Sequence, residues 1–341
     1  LRTLSSSLFS TVRNRLGRRQ EQDIEDATWA ETQDELTRGW IFKHEGDSME
    51  GKVVAMRFGL RQGQKIRVID DCSICGLNAT VGLWEKLQVH SVDILANMLR
   101  LAMRMAPKGA LPAARGRTYD LKSAYRQFGI SEESRNLLRL AVNDTDGGGP
   151  RLFGMNTLPF GAVSSVASFL RLSLAIWFIG FAALRLVWTT FYDDFSLVSA
   201  SRLENSASWA AESLFELLGL IYAKEGKKFA PFSTTFQTLG VQINLESMQE
   251  GVVSVGRTDS RRKELLTDIA AILHAGRLSN KSAERLRGRT IFFDGFVFGR
   301  VAASCLRSLS RTEESSRQDE SLDSKCRQSL MLLSEHVLTA G

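Results

Sequence analysis

The sequence predicts an α+β fold in which antiparallel strands are backed by helices, and three patterns carry that prediction. β-Branched and aromatic runs from Arg185 to Ser199 flank the acidic pair Asp193-Asp194, as in a hairpin with both acids at its tip. Leu239, Val241, Ile243 and Leu245 alternate as a half-buried strand does. Leu203, Ala207, Ala210, Ala211, Leu214, Leu217 and Leu218 recur at helical spacing until Gly219 stops them.

In chain order, the residues before about Gly46 read as a charged helical lead-in with no identifiable task. A basic strand follows at Lys65-Ile66-Arg67-Val68-Ile69-Asp70-Asp71, and a helix runs through Val92 to Leu101 and ends before Pro107. Thr118 to Leu121 is a strand. Leu137 to Val142 and Arg151 to Leu158 are two more, joined by the turn-rich Asn143 to Pro150. Leu172 to Leu184 is apolar and bracketed by Arg171 and Arg185; it is about half the ~20 residues that a bilayer span requires, so it reads as a buried helix. Ser164 or Ser165 offers its N-cap, and Ser201-Arg202-Leu203-Glu204 is a capping box for the next helix. Val252 to Val255 adds a strand, helical runs punctuated by Gly276 and Gly288 follow from Asp259, and Arg311 to Gln328 reads as a polar linker or exposed helix.

The chemistry lies in three carboxylates, Asp120, Asp193 and Asp194, each expected at a strand end. Hard divalent ions such as Mg²⁺ take oxygen ligands, typically one or two carboxylates each with substrate phosphates completing the shell. Two such ions clamp the attacking and leaving oxygens of an in-line phosphoryl transfer. An acidic pair without a basic neighbour in sequence is costly unless a cation neutralises it. Taken alone, Asp193-Asp194 is equally an ordinary Asp-rich turn.

Its company is an ordered series that resembles the reverse transcriptases of retroelements. Thr118-Tyr119-Asp120-Leu121-Lys122-Ser123-Ala124-Tyr125 is similar to that family's first catalytic strand, Leu158-Pro159-Phe160-Gly161-Ala162 to its template- and nucleotide-contacting loop, and Phe191-Tyr192-Asp193-Asp194 to its aromatic-any-Asp-Asp box. Gly219-Leu220 with Lys227-Lys228-Phe229, and Thr238-Leu239-Gly240-Val241, resemble the two remaining elements. The resemblance covers roughly residues 60 to 300. It implies a right-hand polymerase with an antiparallel palm sheet, fingers and a helical thumb, using Mg²⁺ (two ions, with Mn²⁺ an alternative) to add deoxynucleotides to a primer 3′ end on an RNA or DNA template. Asp120, Asp193 and Asp194 would be the catalytic metal ligands. Lys65, Arg67, Tyr125, Phe160, Gly161 and Lys228 would bind the nucleotide, with Tyr125 beneath the sugar. Phe191, Tyr192, Leu239, Gly240, Arg285, Arg287 and Arg289 would hold primer and template. Phe191 stands where the family more usually has tyrosine. The Pro-Phe-Gly loop resembles long-terminal-repeat and tyrosine-recombinase retrotransposons more than non-LTR elements, and Glu284 to Phe293 with Phe298-Gly299-Arg300 is similar to the region after the palm in tyrosine-recombinase elements.

The implied division is a lead-in over 1–46, fingers over 47–117, a palm over 118–256 with a finger insertion near 130–157, a helical thumb or connection over 257–310, and a polar linker or start of a further domain over 311–341. Two rival readings remain. A viral-type RNA-dependent RNA polymerase typically has an aspartate where this chain has Tyr125, and a decayed or domesticated nucleic-acid-binding fragment would not need all three acids.

Composition agrees with a polyanion partner: 341 residues, 43% hydrophobic and net charge +6. Arginine and lysine crowd the stretch from Arg257 to Arg300 as a stripe able to follow phosphates, or equally a solvated helical face. Cys72 and Cys75 have zinc-like spacing, but Cys305 and Cys326 lie far off, so the cysteines read as reduced thiols of an intracellular protein, cytoplasmic or nuclear and not secreted. No membrane partner is expected, the chain reads as a polyprotein fragment, and its oligomeric state stays open.

Overall fold

A computed structural model describes residues 5–44, 51–82, 86–107, 109–147, 149–294, 307, 319–322 and 324–339. The chain runs α1 (Ser5–Leu16), α2 (Gln22–Thr37), β1 (Ile41–Lys43), β2 (Val53–Gln62), β3 (Lys65–Asp71), α3 (Val92–Met105) and β4 (Ala114–Asp120). It continues through α4 (Glu132–Leu137), β5 (Leu138–Asn143), β6 (Pro150–Met155), α5 (Val163–Leu184), β7 (Val187–Phe191), β8 (Asp194–Ala200) and α6 (Glu204–Leu217). Next are β9 (Thr235–Thr238), β10 (Val241–Asn244), β11 (Ser254–Arg257), α7 (Asp259–Ala275), β12 (Arg277–Ser279), α8 (Asn280–Asp294), β13 (Asp319–Ser321) and a last helix, α9 (Ser324–Thr339). Helices and antiparallel sheets in separate runs make this an α+β fold.

The chain forms two compact units, the first from residues 1–90, 119–195 and 208–229, the second from 91–118, 196–207 and 230–341. The boundary falls inside β4 and β8, two strands of a sheet ordered β4-β8-β7.

In the first unit a five-stranded sheet has the order β1-β6-β5-β2-β3. Its pairs are antiparallel except β2 with β5, which runs parallel from Val53 opposite Leu138 to Met56 opposite Ala141. Alternation assigns the two faces of β2 to different layers. Ala55 packs with Trp29 of α2, Leu140 and Phe153, whereas Val54 and Met56 pack with Val12 and Leu16 of α1. The lead-in helices therefore cover both faces of this sheet and have a structural task that their charge concealed.

In the second unit, α3 contributes Val92, Leu95 and Leu99 to a core with Phe236, Val241 and Ile243 of the β11-β10-β9 sheet. This helix, read from sequence as part of the fingers, packs its apolar stripe against the sheet's inward-facing residues. A separate cluster joins Leu265, Ile269 and Ile272 of α7, Ala283 and Leu286 of α8, and Cys326, Leu330, Leu333 and Val337 of α9. Residues 324–339, which overlap the stretch read as a polar linker or exposed helix and as a linker or the start of a further domain, form a helix whose apolar residues recur every three or four positions and join this core.

Three local expectations are corrected. α5 begins at Val163, and neither Ser164 nor Ser165 caps it; Asn78 Oδ1 accepts the Val163 N–H at 2.9 Å from far upstream. With 22 residues, α5 is long and apolar enough to cross a membrane by length and composition. One face is nonetheless core: Phe169, Leu170, Ser173 and Ile176 are buried, and Trp177 and Trp188 exchange indole-to-carbonyl hydrogen bonds of 2.8 and 3.0 Å with β7. At Ser201–Leu203 the chain makes a 3₁₀ turn rather than a capping box, and Glu204 pairs with Arg115 at 3.4 Å.

Candidate active site

Asp120 ends β4, Asp194 opens β8, and Asp193 occupies the turn between β7 and β8. Backbone hydrogen bonds hold the segments that carry the acids together. Leu121 N–H donates to the Asp193 carbonyl at 3.0 Å, and Ala223 N–H donates to that of Asp120 at 2.9 Å. Tyr192 takes a left-handed φ of 54°, a conformation that a bulky side chain rarely adopts, and Ser173 Oγ of α5 donates to its carbonyl at 2.8 Å. Behind the strand, the Tyr119 hydroxyl donates to Glu212 Oε1 of α6 at 3.1 Å.

The acids strain one another electrostatically. Burial, then repulsion from Asp193 and Asp120, pushes the Asp194 carboxyl up to about 7. Asp193 is raised too, by burial and by the charge of Asp120. Lys228 Nζ meets both Asp120 oxygens, at 2.7 and 2.5 Å, and so offsets part of that negative charge. Among the described residues no three His, Cys, Asp or Glu side chains stand ready as a metal cage. The donor chemistry still fits a hard divalent cation, since crowded carboxylates, with the proton affinities of Asp193 and Asp194 raised, are neutralised by such an ion; binding would require Lys228 to leave Asp120.

A cavity of about 490 Å³ opens beside the acids. Arg67, Tyr125, Phe160, Tyr192, Asp193 and Lys228 line it, all residues singled out from sequence, together with Glu31, Glu35, Ser123 and Arg126, which were not. Tyr125 lies against Phe160 and Phe169 with ring centroids 5.6 and 4.8 Å away, and burial pushes its hydroxyl up to about 12. Gly161 has φ of 139°, and a Cβ there would collide with the Asp70 carbonyl oxygen, which explains the glycine. Lys65 is not among the lining residues; it opens β3 opposite Gln62, next to the β2–β3 turn. Phe191 ends β7 half-buried, its ring 5.0 Å from that of Tyr192.

The other sequence candidates belong to the second unit. Leu239 and Gly240 form the two-residue β9–β10 turn with φ of 52° and 75°, the paired positive values of a tight hairpin. Gly240 and Arg289 share a cavity of about 220 Å³ with Arg257, Arg261, Glu264, Leu265 and Gly288. The basic stripe is less free than its composition implies, because α7 supplies acids that face it. Arg289 pairs with Asp268 at 2.5 Å, and Arg285 approaches the same carboxylate at 3.6 Å; Arg287 is half-buried on the same helix. Phe298, Gly299, Arg300 and Cys305 lie outside the described residues.

Beneath the 490 Å³ cavity is a feature that sequence reading missed altogether. Arg57 Nη2 pairs with Glu35 at 2.7 Å and Arg57 Nε with Asp70 at 2.8 Å; Arg126 Nε pairs with Glu35 at 2.7 Å, and Arg126 Nη2 closes the ring on Asp70. All four side chains are buried.

No protein-family model and no curated protein matches the chain by sequence. Solved structures do match in fold. Foamy viral protease-reverse transcriptase in complex with double-stranded DNA superimposes with TM-scores of 0.69 and 0.67 in two structures, at 16% identity over 95% of this chain and 50% and 59% of those chains. The same viral protein with an RNA/DNA hybrid matches with a TM-score of 0.67, at 16% identity, over 95% of this chain and 38% of that one. The chain therefore has a reverse transcriptase-like fold, and it spans between 38% and 59% of the length of these structures.

Proposed function

We propose that the chain is the polymerase portion of a reverse transcriptase, adding deoxynucleotides to a primer 3′ end on an RNA or DNA template. The observation that carries this reading is the convergence of Asp120, Asp193 and Asp194 beside a cavity lined by Arg67, Tyr125 and Phe160, in a chain of reverse transcriptase-like fold. Asp120, Asp193 and Asp194 would hold two Mg²⁺ ions. When bound, such ions lower the pKa of the 3′ hydroxyl and neutralise charge on the transferring phosphoryl group. The protein's own work is to position and to screen. Arg67 offers positive charge to the triphosphate, Tyr125 closes the floor of the pocket against a 2′-hydroxyl, and the Gly161 backbone lets the Phe160 loop approach β3. Lys228 neutralises Asp120 until an ion takes its place. The second unit, with Leu239, Gly240, Arg287 and the Arg289 cavity, would engage primer and template.

The Pro159-Phe160-Gly161 loop supports a retroelement closer to long-terminal-repeat and tyrosine-recombinase types than to non-LTR elements. Cys72, Cys75 and Cys326 are buried thiols outside any disulfide, in keeping with an intracellular setting. Primer extension with Mg²⁺ on a homopolymer template tests the reading. Parent protein should extend with deoxynucleotides in preference to ribonucleotides, and Asp193→Asn should abolish extension while primer-template binding stays near the parent value. Equal extension by the mutant would sink the metal-ligand assignment, and parental preference for ribonucleotides would favour an RNA polymerase.

A further inference from the structure

The ring of Glu35, Arg57, Asp70 and Arg126 carries two positive and two negative charges, and each carboxylate bridges both guanidinium groups. Buried charge of this kind is poor evidence for stability, since an apolar substitute of similar volume often serves as well. What the ring does uniquely is join segments that line the cavity. Arg126 directly follows Tyr125 and also donates to the Leu158 carbonyl at 3.4 Å, two residues before Phe160. The Asp70 N–H donates to the Phe160 carbonyl at 2.9 Å, and Asp70 lies three residues beyond Arg67 on β3. Glu35 itself lines the cavity, so α2 of the lead-in helices is tied to the same assembly.

We propose that Arg126 is a positioning residue for sugar selection: bound to Asp70 and Glu35, it fixes the Tyr125 ring at one distance from the Phe160 loop and thereby sets the width available to the nucleotide's 2′ position. Planar bidentate geometry is what arginine contributes here, because a fork held at both carboxylates defines an orientation that a point charge does not. Arg126 does not touch the sugar in this scheme; Tyr125 does. The inference rests on the reading of the cavity as the nucleotide pocket of a polymerase.

The test uses the full chain in primer extension, with the ratio of kcat/KM for deoxy- over ribonucleotides as readout. In Arg126→Lys the ratio should fall severalfold. In the charge-balanced pair Arg126→Leu with Asp70→Leu, which leaves Arg57 facing Glu35, it should fall about tenfold or more, with deoxynucleotide KM rising more than kcat falls. Thr32→Val is the control, because Thr32 bonds Arg57 at 3.1 Å and joins the ring at the far side from Tyr125; it should lower the melting temperature and leave the ratio unchanged. Parental discrimination in Arg126→Lys, or in the double variant, would overturn the proposal, and if the double variant does not fold, Arg126→Lys decides alone. Tyr125→Val separates the two levels of argument. If it relaxes discrimination while the Arg126 variants do not, only the positioning role fails; if it changes nothing, the pocket reading fails first.

Discussion

Two buried clusters of the molecule are built on opposite principles. The helical cluster of the second unit is apolar, with Leu330 and Leu286 fully buried between α7, α8 and α9. Beneath the candidate pocket of the first unit, the corresponding space holds Arg57, Asp70, Glu35 and Arg126. Apolar packing is non-directional and tolerates exchange of shape for shape, whereas an ionic ring has one satisfied geometry and a large penalty for losing any member. The protein thus puts directional chemistry where atoms must be held in register and uses oily packing where only cohesion is needed.

The comparison breaks most visibly at Arg57. Arg57→Met leaves two buried carboxylates facing one arginine and should cost about 3–5 kcal/mol, read from chemical denaturation followed by tryptophan fluorescence; a loss below about 1 kcal/mol would mean that water reaches the ring. Leu330→Ala should cost about 2–5 kcal/mol through the cavity it leaves, and a volume-conserving Leu330→Met should recover most of it. No comparable rescue of Arg57 by Met is expected, and that asymmetry is the sharper form of the test.

Acid should separate the two regions next. Burial alone would raise the Asp70 carboxyl, but Arg126 and Arg57 overrule it and hold it below the usual 3.8. A folded pKa below the unfolded one contributes stability that is fully present above about pH 4 and lost as pH falls through the folded value. The described tryptophans, Trp29, Trp40, Trp177, Trp188 and Trp209, lie in segments of the first unit, so their fluorescence reports on that unit. It should change below about pH 4, ahead of the helical ellipticity to which the second unit also contributes. Coincident curves would show that the ring does not fail first. The smallest effect is expected at the surface: Arg38 and Asp34 pair at 2.7 Å one helical turn apart, both side chains near half exposed, and Asp34→Ala should leave the midpoint within error.

Legibility in sequence divided along the same line. The acids were legible because Asp193 and Asp194 sit between two strand-like runs, a pattern complete within fifteen residues of chain, from Arg185 to Ser199. Tyr125 and Phe160 were legible through their neighbours. The ring was not, because its members come from α2, β2, β3 and the turn after β4; sheet register pairs Arg57 with Asp70, but only tertiary packing brings Glu35 and Arg126 to them. One signal existed. The buried residues of α2 include Glu25, Thr28, Thr32 and Glu35 at helical spacing, a polar stripe that reads as a solvated face until partners are known. α9 shows a different loss: Cys326, Leu330, Leu333 and Val337 keep a regular core spacing, but the surrounding charge hid it.

The cap on α5 carries a consequence for how the chain comes into being. Asn78 accepts the Val163 N–H across 85 positions of sequence, and its amide donates to the Gly161 carbonyl at 3.0 Å. A ribosome delivers the N-terminal part of a chain first. Asn78 therefore emerges, with the β2–β3 hairpin already available behind it, well before α5, the longest helix among the described residues, is translated. The starting point of that helix is thus specified by a residue made earlier, as a template laid down in time as well as in space.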